Sequence, residues 1–89
     1  MNKYQVTIQF EWNDETLEIV PVHRAYINEL IEQQTLDHYA VSMETQTIWI
    51  TINAESKDAV REILAQSPFA PYWTLEVNEV VIWDGQNYR

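Results

Sequence analysis

An α+β domain with the element order β-α-β-β-α-β is predicted by three observations. Residues 4–12 alternate strictly between apolar and polar side chains, and residues 47–53 alternate again with isoleucine at every second position. Two other stretches carry apolar residues at helical spacing, and a pair of prolines cuts the second of them just before a last apolar run. Period-two alternation marks half-buried strands, and a 3.6-residue period marks amphipathic helices. The resulting order is the ferredoxin-like split βαβ plan, a four-stranded antiparallel sheet with two helices on one face.

The first strand is read over residues 4–12, with Tyr4, Val6, Ile8, Phe10 and Trp12 on one face and Gln5, Thr7, Gln9 and Glu11 on the other. Asn13-Asp14-Glu15-Thr16 reads as a turn, and residues 17–20 stay open between an extended connection and a first helical turn. Pro21 suits the first turn of a helix that runs to about Gln34. Val22, Tyr26, Ile27, Leu30 and Ile31 share one arc of it, and Arg24, Asn28 and Glu32 lie opposite. His23 falls inside the apolar arc, beside Ile27 and Leu30, where a polar ring needs a reason to be. Residues 39–43 read as the second strand, Glu44-Thr45-Gln46 as a hairpin turn, and residues 47–53 as the third strand, burying Ile48, Ile50 and Ile52. Ser56 is a candidate N-cap for the second helix, with Asp58 in its first turn and Ala59, Val60, Ile63 and Leu64 as its apolar stripe. That helix ends at Gln66 or Ser67, because Pro68 and Pro71 lack amide donors and disfavour helical geometry in the residue before them. Residues 73–83 form the fourth strand, whose alternation slips between Leu75 and Val77 on one parity and Val80 and Ile82 on the other. A bulge near Asn78 or Glu79, or a change of packing partner, accounts for the slip. The chain after Asp84-Gly85 reads as a loose tail.

At 89 residues the chain is expected to be one domain, residues 1–89. A domain of this size buries roughly two thirds of its unfolded surface. Fourteen acidic against five basic residues give a formal charge of -9, which opposes binding to nucleic acid or to anionic membranes. With no cysteine there is no disulfide, thiol nucleophile or thiolate metal site, which fits a cytoplasmic location. No apolar run has the length of a signal peptide or a membrane span. His23 and His38 are too far apart for a metal-ligand motif, and the only glycine, Gly85, builds no phosphate loop, so no metal or cofactor is implied. The sheet face away from the helices carries Gln5, Thr7, Gln9, Glu11, Thr47, Trp49, Thr51, Thr74, Glu76 and Asn78. A homodimer or higher homo-oligomer formed through that open face is expected.

Between Ser56 and Val77 the residues Ser56, Ala59, Leu64, Gln66, Pro68, Pro71, Tyr72, Glu76 and Val77, with Pro-x-x-Pro-Tyr-x-x-x-Glu-Val as the most specific run, resemble the muconolactone isomerase family of small dimeric α+β barrels. Leu30 and His38 also match, so the resemblance reaches from the first helix to the fourth strand. The departures fall near the family's pocket: the connection into helix one is shorter, His23 precedes Arg24 where the isomerases have an acidic residue, and Leu36 and Asp37 replace an aromatic and a basic residue. The resemblance implies a proton shift within a small unsaturated lactone or carbonyl compound, which needs an acid/base group and a cation or donors for a carboxylate. His23 is then the candidate base, with His38 and Glu76 as further catalytic polar groups and Arg24, Trp49 and Tyr72 as ligand-binding residues.

Each candidate has a second reading. His23 reads also as a core histidine with its nitrogens satisfied, His38 as a cap at the exit of helix one, and Glu76 as a solvated or interface-paired carboxylate. Trp49 serves either ligand stacking or a dimer interface, where tryptophan is enriched, and Tyr72 with the prolines sets the entry to strand four. Two functions remain open: a proton-transfer isomerase, and a non-catalytic homodimer of the same fold that binds a small molecule or serves a structural role.

Overall fold

The computed structural model describes residues 1–84, so the tail read as loose, residues 85–89, lies outside the described residues. Strand β1 (Asn2–Phe10), helix α1 (Asp14–Glu32), strands β2 (Leu36–Ser42) and β3 (Thr47–Ala54), helix α2 (Lys57–Ala65), a 3₁₀ turn (Ala70–Tyr72) and strand β4 (Trp73–Val80) follow in that order. All strand pairings are antiparallel, in the spatial order β2-β3-β1-β4. This is the ferredoxin-like α+β fold that the alternation predicts. Tyr4, Val6 and Ile8 of β1 and Ile48, Ile50 and Ile52 of β3 meet Ile27 and Leu30 of α1 and Val60 and Leu64 of α2 in one core. Each such side chain contributes about 1.5–3 kcal/mol by leaving water.

Helix α1 begins well before Pro21, which corrects the turn read at Asn13–Thr16. Asn13 and Thr16 form a reciprocal capping box: the Thr16 amide donates to Asn13 Oδ1 at 3.0 Å and the Asn13 amide to Thr16 Oγ1 at 2.8 Å. Pro21 consequently sits inside the helix, where it leaves the Leu17 carbonyl without its ladder donor. Val22 and Ile31, placed on the apolar arc by spacing, are exposed, so the buried stripe is the narrower line Thr16, His23, Ile27 and Leu30. The helix ends in a Schellman motif, the Thr35 amide donating to the Leu30 carbonyl and the Gln34 amide to the Ile31 carbonyl, both at 3.0 Å. Gln34 takes the left-handed position, with φ 62°, that glycine normally fills.

Strand boundaries also move, the second strand read over residues 39–43 running from Leu36 to Ser42. Strand β1 ends at Phe10, so Trp12 leaves the sheet and packs edge-on against the Phe10 ring. The slip in β4 is no bulge: the β1–β4 register runs unbroken from Lys3↔Val80 to Phe10↔Trp73, and Val81 and Ile82 simply lie beyond the strand, exposed. The sheet's irregularity is in β2 instead, where Leu36 pairs with Ile52 but His38 with Thr51, leaving Asp37 as the extra residue of a bulge. Asp37 is ion-paired to Lys3, and Asn53 Nδ2 donates to its Oδ2 at 3.1 Å.

The caps make two stability changes measurable by urea denaturation. Gln34→Gly relieves the left-handed strain and is expected to stabilise the fold by about 0.5–1 kcal/mol, the relief exceeding glycine's greater unfolded-state entropy. Asn13→Ala is expected to cost about 1 kcal/mol. If Asn13→Ala leaves the midpoint unmoved, the capping box does not hold the start of α1.

Candidate functional site

The bulge decides which β2 side chains face the helices. Because side chains alternate along a strand, one inserted residue exchanges the faces of everything beyond it. Past Asp37, Tyr39 pairs with Ile50 and turns to the helix side, while His38 pairs with Thr51 and turns to the open side. Tyr39 there meets His23 of α1. The His23 ring is 3% exposed, its Nε2 lies 2.9 Å from the Tyr39 hydroxyl, and its Nδ1 lies 2.7 Å from Ser67 Oγ in the connection after α2. Phe69 and Trp73 pack on the same ring at 5.3 and 5.5 Å between centroids.

Burial, with the positive charge of Arg24 adding to it, lowers the His23 pKa from 6.5 to about 4, so the ring is neutral at pH 7. Burial pushes the Tyr39 hydroxyl upward, and Arg24 works against that shift. The Arg24 guanidinium lies 5.0 Å from the centre of the Tyr39 ring. His23, Tyr39 and Arg24 form one polar corner of a cleft of about 160 Å³ between α1 and the β2–β3 side of the sheet. Phe10, Trp12, Val20 and Phe69 are among the apolar side chains that complete it. A cavity of about 150 Å³ takes benzene, so the space suits a single-ring molecule.

The other residues singled out by sequence are not gathered here. His38 is on the open face, its ring 5.6 Å from that of Trp83, and Trp83 also covers the Lys3 ammonium at 4.0 Å. Helix α1 exits through the backbone bonds of Gln33, Gln34 and Thr35. Glu76, also on the open face, is exposed and accepts from Asn78 Nδ2 at 3.3 Å. His38 and Glu76 stand on opposite edge strands, about 14 Å apart at ordinary strand spacing, with the whole sheet between them and His23. Trp49, 39% exposed, shares a row of that face with Ala40, Thr7 and Glu76. Tyr72 donates to Glu15 Oε2 at 3.2 Å, which pushes its own pKa up, and lines a wider cleft of about 290 Å³ between β1 and the start of β4. Sequence reading missed Tyr39 and Ser67. The available signal was His23 itself, since a buried imidazole needs two partners. Among the described residues no group of three or more His, Cys, Asp or Glu is placed to hold a metal ion, and no helix is long and apolar enough to cross a membrane.

Comparison with known proteins gives a structural relationship. No family model and no curated protein matches the sequence. Among solved structures, a crystal structure of muconolactone isomerase superposes with a TM-score of 0.75 over 91% of this chain and 90% of that one, at 16% identity. The chain therefore has the muconolactone isomerase fold.

The His23 environment carries a pH signature. Its folded pKa lies below the unfolded value, so the unfolded chain binds the proton first. The contribution of this group is complete above about pH 6.5 and is lost as the pH falls toward 4, by on the order of 3 kcal/mol. His23→Gln, which keeps a donor and an acceptor but does not titrate, is expected to flatten the slope of unfolding free energy over that window. Equal slopes in the two proteins would place the titration elsewhere.

Proposed function

We propose that this chain binds a small unsaturated lactone or related carbonyl compound carrying a carboxylate, in the cleft between α1 and the sheet. One observation carries the reading: apolar walls sized for one ring, with the cation of Arg24 and the hydroxyl of Tyr39 together at one corner. Arg24 pairs with the carboxylate, and Tyr39 hydrogen-bonds a carbonyl oxygen. The fold shared with muconolactone isomerase is consistent with such a ligand.

A proton-shift isomerase is the second reading, favoured by the continuous line of hydrogen bonds Ser67–His23–Tyr39 that ends in the cleft. In that reaction one C–H proton leaves a carbon conjugated to the carbonyl and a proton returns elsewhere along the conjugated system, with nothing oxidised or reduced. A donor on the carbonyl oxygen lowers the cost of the enolate in between. The base is what the cleft supplies least well. Both nitrogens of His23 are engaged and its pKa is about 4, while His38 and Glu76 face the other side of the sheet. Binding without turnover therefore ranks first.

The open face takes a second copy of the chain in this reading. Trp49 stands half-exposed amid Thr7, Thr47, Thr51 and Gln5, a polar row with one large aromatic of the kind that centres an interface. Trp49→Lys is then expected to shift the sedimenting species from dimer to monomer, and a wild-type monomer at high micromolar concentration would end the dimer reading.

Titrating ¹⁵N-labelled protein with muconolactone tests the ligand. Saturable shifts are expected at Val20, Tyr39 and Phe69, with at least tenfold weaker binding in Arg24→Ala. No saturation up to millimolar ligand, or shifts centred on Thr7 and Glu76, would overturn the cleft assignment. Incubation in D₂O separates the two readings: deuterium entering the lactone faster than in buffer requires turnover, and its absence with binding intact leaves a binding protein.

A further inference from the structure

Ser67 has one hydroxyl proton and a burial that denies it water, being 3% exposed. The Phe69 amide donates to Ser67 Oγ at 3.0 Å, so that contact uses the oxygen as an acceptor. Among the described residues the other partner of Oγ is His23 Nδ1, at 2.7 Å. Were Nδ1 protonated, the serine proton would have no acceptor, and a buried donor left unsatisfied is unfavourable. With Ser67 donating, every atom is satisfied: Nδ1 accepts, and the single proton of the neutral ring resides on Nε2. Nε2–H then donates to the Tyr39 hydroxyl oxygen, 2.9 Å away. The tyrosine's own proton cannot point back at a donor, and the space it faces is the cleft that Tyr39 lines.

We propose that Ser67 is a positioning residue, holding His23 as the Nε2–H tautomer and thereby turning the Tyr39 hydroxyl proton into the cleft as a fixed donor for a ligand's carbonyl or carboxylate oxygen. The ligand half of this statement rests on the binding function proposed above; the proton arrangement does not. The cleft is thus built to accept hydrogen-bond acceptors. A ligand offering only an N–H or O–H donor at that corner meets donors on every side, from Tyr39 and from Arg24.

Long-range ¹H–¹⁵N correlation spectra of histidine-labelled protein at pH 7 read the tautomer without any ligand. In the wild type, His23 Nδ1 is expected to resonate as an unprotonated nitrogen and Nε2 as a protonated one. Tyr39→Phe should leave that pattern in place, because Ser67 sets it. Ser67→Ala should lose the single pattern, giving mixed or exchanging tautomers, and Ser67→Thr should restore it. A protonated Nδ1 in the wild type overturns the proposal outright, whatever the ligand titration gives. An unchanged single pattern in folded Ser67→Ala, or a reversal in Tyr39→Phe, removes Ser67 from the role. The wild-type measurement decides the arrangement even where Ser67→Ala fails to fold. If the wild-type pattern is as expected while muconolactone does not bind, the fixed donor stands and the ligand class alone is wrong.

Discussion

One buried imidazole ties together the parts of this molecule that sequence separates most widely. His23 projects from α1, Tyr39 from an edge strand, and Ser67 from the connection between α2 and β4, and the three meet in two hydrogen bonds. The apolar neighbours of the ring, Phe69 and Trp73, leave it little else to bond with. In low dielectric such a group is either fully satisfied or costly, so the register of β2 and the path of the residues after α2 are constrained together. Phe69, tethered to Ser67 through its amide, also seals the cleft wall beside His23.

The register of β2 is in turn set from the opposite side of the sheet. Asp37, the extra residue of the bulge, is held there by Lys3 of β1 and Asn53 of β3. Were Asp37 paired in regular alternation instead of bulged, His38 would turn to the helix side and Tyr39 to the open side. A polar cluster on one face thus decides which aromatic side chain reaches the histidine on the other. Trp83, whose ring lies against the Lys3 ammonium and meets the His38 ring edge-on, adds apolar cover to the same cluster.

This explains what the sequence made legible and what it did not. Strand and helix identity and the burial of His23 follow from periodicity, because β1 alternates without fault, β3 alternates but for Trp49, and α2 has an unbroken stripe. The start of α1 was hidden because Asn13-Asp14-Glu15-Thr16 has the composition of a turn, and the same small polar residues build a capping box when the hydrogen bonds are reciprocal. The candidate site was half legible. His23 could be placed from helical spacing, which put Arg24 on the opposite arc although it lines the cleft, whereas Tyr39 depends on a bulge that has no glycine and no break in hydrophobicity to announce it. Val81 and Ile82 misled in the opposite direction, since two β-branched residues read as strand although the ladder with β1 has already ended at Val80.

The relationship to muconolactone isomerase has to be weighed on the same physical footing. The match over nine tenths of both chains shows a shared fold, and leaves open where a pocket sits and which side chains enter it. Here the pocket between α1 and the sheet is entered by a neutral histidine, a tyrosine and an arginine, and the acid Glu76 stands outside, bonded to Asn78. The lining side chains include a cation and a hydroxyl and no carboxylate, which is what supports the proposal of a ligand that brings the negative charge itself. The overall charge of -9 opposes such a ligand at long range, so the proposed binding would rest on short-range pairing with Arg24, which lines the cleft but is itself exposed.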